Sequence, residues 1–560
     1  MSKINIIPLG GVRESGKNLY AVEVDEDIFV LDAGLKYPEN EMLGIDVVIP
    51  DFTFLAENKD RVAGIFLTHG HADAIGALPY LLCEVNAPVF GSELTIELAK
   101  LIVENYAESK GFKEFHVVNE GTEIDFGTAE ISFFKTTHTI PDSLGIQVKT
   151  PEGSIVYTGD FKFDQSAAPM YATDYARLAQ IGSEKVIALL SDSSNAESAV
   201  TIASEREIAD EVYETIRSWE GRIIVASVAS NLARIQQVID ASYRVGRKII
   251  MTGKDVERIV RTAIRLGKIV LPDEKILVNL KDIKKYSDQE ILILETGRMG
   301  EPVKSLHRMA KGTHGQINIH EGDLVYIVTT PSIAMETTVA RAENVIYRAG
   351  GMVKQINENL RVSGHANAND LMLMMNLIKP KNLIPIQGEY RQLAAHTTLA
   401  MDIGMTPEHT YICRRGDILG YDSKEERFFP EASTQADNVL IDGLGVGDVG
   451  NIVLRDRKVL SEDGILVVVA TISRREGKIV SRPQVTSRGF VYQKNSRDIL
   501  KESGNIASEV LAKHLDIDDF EWGKLKSDIR DALAKYLFEQ TKRRPVILPV
   551  IMEGSPKNNR

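Results

Sequence analysis

Residues 67–82 read LTHGHADAIGALPYLL, directly after the apolar run AGIFL at 63–67. His69, His71 and Asp73 fall at alternating positions behind what reads as a buried strand. Three polar side chains placed there cost solvation unless something binds them. Imidazole nitrogens and a carboxylate suit a borderline or hard divalent ion, so the stretch reads as a metal-binding loop at a strand end. The next residue, Ala74, stands where a fourth ligand is expected, and a methyl group binds no metal.

Working outward, the same arrangement recurs. Asp32 in LDAGL, His138 in KTTHTIPDS, Asp160 in YTGDFKFD and Gln387 in PIQGEYRQL each follow an apolar, strand-like run. Polar chemistry at successive strand ends is the layout of an α/β or αββα layered fold, whose loops gather at one edge. His69, His71, His138 and Asp160 could close around one ion, and Asp160 could bridge to a second with Asp73 as its own ligand, as in two-metal hydrolases. The remaining histidines, His116, His307, His314, His320, His396, His409 and His514, read as ordinary surface or core groups.

The chain has 560 residues, which implies about three or four domains. With 43% hydrophobic and 26% charged residues it is of globular composition. The opening MSKINIIPLGG lacks the long apolar region of a signal peptide, and no run approaches the length of a membrane span. Cys83 and Cys413 lie far apart in apolar sequence; they offer no disulfide framework or CxxC zinc site and suggest a reducing cytoplasm. A net charge of −13 argues against nonspecific polyanion binding by the whole surface but leaves room for a local basic groove.

The rhythm changes near residue 205. SEREIADEVYETIRSW reads as an amphipathic helix with Ser204 as N-cap and Glu205 following. Strands RIIVAS, KIIM, ILILET and LVYIVT then alternate with helices, which predicts a separate, mostly parallel α/β domain. NDLMLMMNLIKP reads as a helix and NLIPIQG as a strand. A third unit follows the Gly-rich IDGLGVGDVGN, with strands GILVVVATIS and RPVILPVIM around two long helices.

THGHADAIGALPYLL resembles the HxHxDH signature of the metallo-β-lactamase superfamily. Together with LDAGLKYPENEMLGIDVVIPDF, THTIPDS, TGDFKFD, LLSDSSNAE, VSGHANANDL, IPIQGEYRQL and the C-terminal SRPQVTSRGFVY, it is similar to the ribonuclease J family over nearly the full chain. The resemblance implies a metallo-β-lactamase αββα sandwich at 1–205 and 356–430, split by a β-CASP α/β insert at 206–355. A linker at 431–449 and a small α/β C-terminal domain at 450–560 complete the plan.

The resemblance also implies roles. The first metal site, His69, His71, His138 and Asp160, is intact. The second keeps Asp73 and Asp160, but its two histidines are Ala74 and Gln387. Both losses fall on one ion, a pattern similar to the degenerate paralogue that accompanies an active one in Firmicute bacteria. The expectation is one zinc or manganese ion per chain, with the second weak or absent. The loop Arg361, Val362, Ser363, Gly364 and His365 would hold a 5′-monophosphate through free N–H groups ahead of a helix. His365 would assist the chemistry and Asp73 would orient water. Asp192 matches an acidic residue at the core–insert border. Arg361 stands where the family has His, and Arg298 and Met299 stand in place of Ser-Gln.

The family hydrolyses RNA, in rRNA processing and mRNA decay, degrading 5′-monophosphorylated strands 5′→3′ and sometimes cutting internally. Loss of one preorganised cation costs about 10²–10³ in rate or more. The implied function is thus a weak exoribonuclease that acts largely as the hetero-oligomeric partner of an active ribonuclease J paralogue. An inactive RNA-binding subunit and a fully active one-metal nuclease are the alternatives, and a homodimer is an alternative assembly.

Overall fold

The computed structural model describes residues 2–554 except 40, 298–300, 329–335, 357–359, 444, 491–496 and 517–519. Arg298 and Met299 lie outside the described residues. The described chain divides into one unit of residues 1–37 and 47–439 and another of 38–46 and 440–560.

In the first unit an eight-stranded sheet faces a six-stranded one. Strands Ile4–Pro8, Tyr20–Val24, Asp27–Leu31 and Val62–Phe66 lie in the first sheet; Glu130–Lys135, Leu144–Thr150, Gly153–Tyr157, Val186–Asp192 and Asn382–Ile386 lie in the second. Both sheets supply one core, in which Ile6, Val22, Phe29 and Phe66 meet Phe133, Ile146, Ile155 and Leu190. The six-stranded sheet is covered on its outer face by Leu178, Leu371, Met374 and Met375 from helices. Near-continuous apolar strands such as VIALLSD are what burial on both faces requires. The layered α/β expectation is met.

LYAVEVDEDIFVLDAG, at 19–34, is a hairpin of Tyr20–Val24 and Asp27–Leu31. Asp25 turns the chain at φ 51°, a left-handed conformation that a short polar side chain tolerates. Strands Asp417–Asp422 and Arg427–Ser433 return to the first sheet beside Ile4–Pro8. Residues 431–449 therefore carry strand as well as loop, including Asn438–Asp442.

The insert is a five-stranded sheet whose pairings are all parallel, in the order Lys248–Thr252, Ile291–Gly297, Ile223–Val228, Leu324–Ile327 and Met352–Gln355. Its first helix, Glu205–Ser218, is capped by Ser204 as the sequence predicts, and Glu207 completes a capping box.

In the second unit, strand Ile465–Ser473 pairs antiparallel with Lys478–Arg488 and parallel with Val546–Glu553. Helix Trp522–Thr541 buries Leu525, Ile529, Leu533 and Leu537, one per turn. Burying each such side chain stabilises the unit by about 1.5–3 kcal/mol. No helix among the described residues is long and apolar enough to cross a membrane. Both cysteines are free; Cys413 is buried and Cys83 exposed.

Candidate metal centre

Every element of the centre arrives from a strand end of the first unit. Val62–Phe66 leads into His69 and His71, Glu130–Lys135 into His138, Gly153–Tyr157 into Asp160, and Val186–Asp192 ends on Asp192. The three imidazole rings stand edge to face with centroids 4.8, 4.9 and 4.8 Å apart.

Their hydrogen bonds fix which nitrogens face inward. His138 Nδ1 lies 2.9 Å from the Gly364 carbonyl and His71 Nε2 lies 3.2 Å from the Ser230 carbonyl. A carbonyl only accepts, so both outer nitrogens carry the proton. Thr68 donates its hydroxyl to Asp32 and therefore accepts from His69 Nδ1 at 2.9 Å. The inner nitrogens are then all lone-pair donors. His71 Nδ1 and His138 Nε2 face one another at 3.1 Å, and His69 Nε2 is buried with no hydrogen-bond partner among the described residues. Two acceptors held face to face are unfavourable unless a cation lies between them.

The carboxylates say the same. Asp160 is 3% exposed, and its Oδ2 accepts no hydrogen bond among the described residues and sits 3.7 Å from His69 Nε2. Burial, then the nearby Asp73 charge, push Asp160 well above the ordinary carboxylate range. Burial, then neighbouring imidazoles, hold His69 and His138 well below the usual histidine value, and burial lowers His71. The residues thus present neutral imidazoles and an unpaired buried carboxylate, a donor set that fits a divalent ion. His69, His71 and His138 form one group able to hold it, and His69, Asp73 and Asp160 another.

Asp32 is not among these groups. It lies behind them, accepting from Thr68 N–H, Thr68 Oγ1 and Tyr157 OH, and burial raises it to about 7. The sequence placed it with the strand-end set; its contact with the centre runs through Thr68.

The second position is built differently. Ala74 is fully buried in the short helix Ala72–Ile75. Asp73 is held by its backbone, whose carbonyl accepts from Asn18 N–H. Gly34 approaches that carbonyl so closely that a Cβ would sit 1.5 Å from the oxygen. Gln387, at φ 52°, turns its Oε1 to Gly16 N–H at 3.1 Å and its Nε2 to Asp73 Oδ2 at 3.1 Å. Gln387, read from the sequence as a lost ligand position, does not turn its amide oxygen toward Asp73. The backbone N–H takes that oxygen, and the face presented to Asp73 is a hydrogen-bond donor.

His365 joins the site. Its Nδ1 donates to Asp192 Oδ2 at 2.8 Å, and its ring lies 5.5 Å from that of His138. Burial opposes its charge, but Asp192, Asp160 and Asp73 override it and lift His365 to about 10. Asn195 Nδ2 donates to Ser363 Oγ and to the His365 carbonyl, which fixes the loop. The N–H groups of Ser363 and Gly364 have no hydrogen-bond partner among the described residues. The helix after this loop begins at Ala368 with Asn367 as its cap, so Ser363 is no cap and the first turn stands beyond the loop. Arg361 is exposed and Val362 half-buried. None of His116, His307, His314, His320, His396, His409 and His514 joins the groups able to hold a metal.

Four family descriptions match the chain. They are "Metallo-beta-lactamase superfamily" over residues 12–200 and "Ribonuclease J, beta-CASP domain" over 220–346. "Zn-dependent metallo-hydrolase RNA specificity domain" covers 352–413 and "Ribonuclease J C-terminal domain" covers 452–554. A Streptococcus pyogenes protein named Ribonuclease J 2 is 59% identical over 553 residues, covering 99% of this chain and 100% of its own. The chain belongs to the ribonuclease J family. Ribonuclease J2 of Bacillus subtilis is 44% identical and Ribonuclease J 2 of Staphylococcus epidermidis 43%, each over 98% of both chains. A solved structure titled as a protein of unknown function from Enterococcus faecalis V583 shares the fold at TM-score 0.54 and 14% identity, covering 75% of this chain and 100% of its own.

Membership makes this a metal-using, RNA-binding nuclease of the metallo-β-lactamase and β-CASP class. Thr68, Ser230, Asn195 and Gly16 escaped the sequence reading. Only Thr68 carried a local signal, as the neighbour of His69; the others meet the site from distant segments.

Proposed function

We propose that this ribonuclease J family member is a weak, metal-dependent 5′→3′ exoribonuclease that serves largely as partner of an active ribonuclease J paralogue. One zinc or manganese ion would be held by His69, His71, His138 and Asp160. The observation that carries the reading is the Gln387 amide, which turns a donor toward Asp73 and uses its oxygen on Gly16. With Ala74 a methyl group, the second position retains only the Asp73 and Asp160 carboxylates of its four expected ligands.

A bound ion acidifies a water and stabilises charge on phosphoryl oxygens. The chain's own residues do the rest. The Ser363 and Gly364 N–H groups receive the 5′-monophosphate. Asp73 orients the attacking water. His365, charged through Asp192, is placed to hand a proton to the leaving oxygen.

The same amide also favours a second reading, a catalytically silent RNA-binding subunit. Metal content distinguishes an impaired site from an intact one. Metal-free protein reloaded with zinc or manganese should retain one ion per chain after desalting, and Ala74→His/Gln387→His should retain two. Two firmly held ions in the wild type overturn the impaired-site reading. A residual rate that disappears in His69→Ala selects the weak enzyme over the silent subunit. Co-purification with the paralogue, with stoichiometry measured, tests the partnership.

A further inference from the structure

Three ring locks hold the three imidazoles, and they come from different parts of the first unit. Thr68 locks His69 from the next position in the chain, and Gly364 locks His138 from the loop before Ala368. The lock on His71 comes from the insert: the Ser230 carbonyl, 159 residues away, accepts from Nε2. Outer contacts of this kind set the tautomer and aim the ligating nitrogen, and losing one typically weakens metal binding about 10–100-fold.

The Ser230 carbonyl is itself fixed within the insert. It follows strand Ile223–Val228 and accepts from Leu232 N–H at 2.9 Å. Asn231 caps helix Leu232–Val245 by accepting from Arg234 N–H. Two residues beyond the cap, Ala233 N–H donates to the Thr139 carbonyl at 3.1 Å, next to His138. Elsewhere along the same boundary, Lys268 of the insert pairs with Asp142 of the core at 2.6 Å and with Glu93 at 3.4 Å. Arg265 pairs with Glu97 at 2.6 Å. The insert thus reaches His71 through one hydrogen bond, and ion pairs along the boundary hold it against the core, among them the largely buried Lys162–Glu205 pair at 2.7 Å.

We propose that the insert sets the metal affinity of the centre: the Ser230 carbonyl is a positioning group for His71, and ion binding is coupled to closure of the insert on the core. This rests on the reading of His71 as a ligand. With the insert withdrawn, His71 Nε2 loses its acceptor, the ring is free to exchange tautomers, and Nδ1 is no longer held inward as a lone pair. Coupling is reciprocal, so a bound ion favours the closed insert by the same factor.

The test is zinc affinity of the full-length protein, stripped of metal and titrated at neutral pH against a competing chelator. Asn231→Ala loosens the peptide that carries the carbonyl, and Asn231→Asp keeps a side chain able to cap. Lys268→Glu replaces two attractions to the core by repulsion, far from the ligands in sequence. Asn231→Ala and Lys268→Glu should each bind zinc at least about 5-fold more weakly, and Asn231→Asp should stay close to wild type. Unchanged zinc affinity in both Asn231→Ala and Lys268→Glu overturns the coupling. A His71→Ala control separates the two ideas: if it binds zinc as well as wild type, the ligand assignment itself fails.

Discussion

Gln387 Nε2 donates to Asp73 Oδ2 at 3.1 Å while Gln387 Oε1 accepts from Gly16 N–H at 3.1 Å. An amide held at both ends cannot turn its oxygen toward a metal without breaking the Gly16 bond. The position has therefore moved from accepting a cation to donating a hydrogen bond, which partly satisfies the carboxylate that a cation would otherwise neutralise. A single replacement should then restore little. Ala74→His leaves the Gln387 donor in place, and Gln387→His leaves one ligand missing. The two changes should be strongly non-additive in metal stoichiometry, each single variant near one ion per chain and the pair near two.

Gly364 is a point of close approach. A Cβ there would lie 2.7 Å from Thr139 Cγ2 and 3.0 Å from His138 Cε1. Gly364→Ala must shift either the loop or the ring that its own carbonyl locks. Overpacking of this kind costs about 1–3 kcal/mol. Thermal unfolding should register that loss, and zinc affinity should fall with it. A variant that keeps wild-type zinc affinity would separate the loop from the centre.

Asp192 and His365 act as a pair, so their removal should not add. In the Ala74→His/Gln387→His background, where the rate is large enough to read, Asp192→Asn and His365→Ala should each lower turnover by about 10²-fold or more. The combined variant should be about as slow as the worse single one. Independent, multiplying losses would contradict a shared role.

His396 gives a pH signature apart from the metal ligands. It is fully buried, its Nδ1 lies 2.9 Å from Ser193 Oγ, and its Nε2 has no hydrogen-bond partner among the described residues. Burial lowers it from 6.5 to about 4. Between those values the unfolded chain binds the extra proton and the folded chain does not. Stability from this group is therefore present above pH 6.5 and is lost as pH falls toward 4, by on the order of 3 kcal/mol in full. His396→Gln should flatten the acid limb of the stability curve over that window. Denaturant unfolding at several pH values reads it directly, and parallel curves for the two proteins would count against it.

Much of this site lay in the sequence because metal ligands are local. His69, His71 and Asp73 sit on one turn after one strand, and the polar residues at later strand ends fall where an α/β sandwich gathers its loops. Ala74 and Gln387 were legible as missing ligands. The direction of the Gln387 amide was not, because Gly16 decides it from 371 residues away. Ser230 was invisible for the same reason, being a backbone carbonyl with no residue type to mark it. The Ser204 cap was legible, while the Glu207 side chain that completes the capping box and the Asn367 cap were not, since which polar side chain closes a helix end depends on how the preceding loop arrives.

The most direct measurement compares wild type with Ala74→His/Gln387→His on 5′-monophosphorylated RNA, with the same metal and the same protein concentration. Restoring both histidines should raise the 5′→3′ rate by about 10²-fold or more, with a second ion retained per chain. A wild type already as fast as the restored protein would contradict an impaired second site.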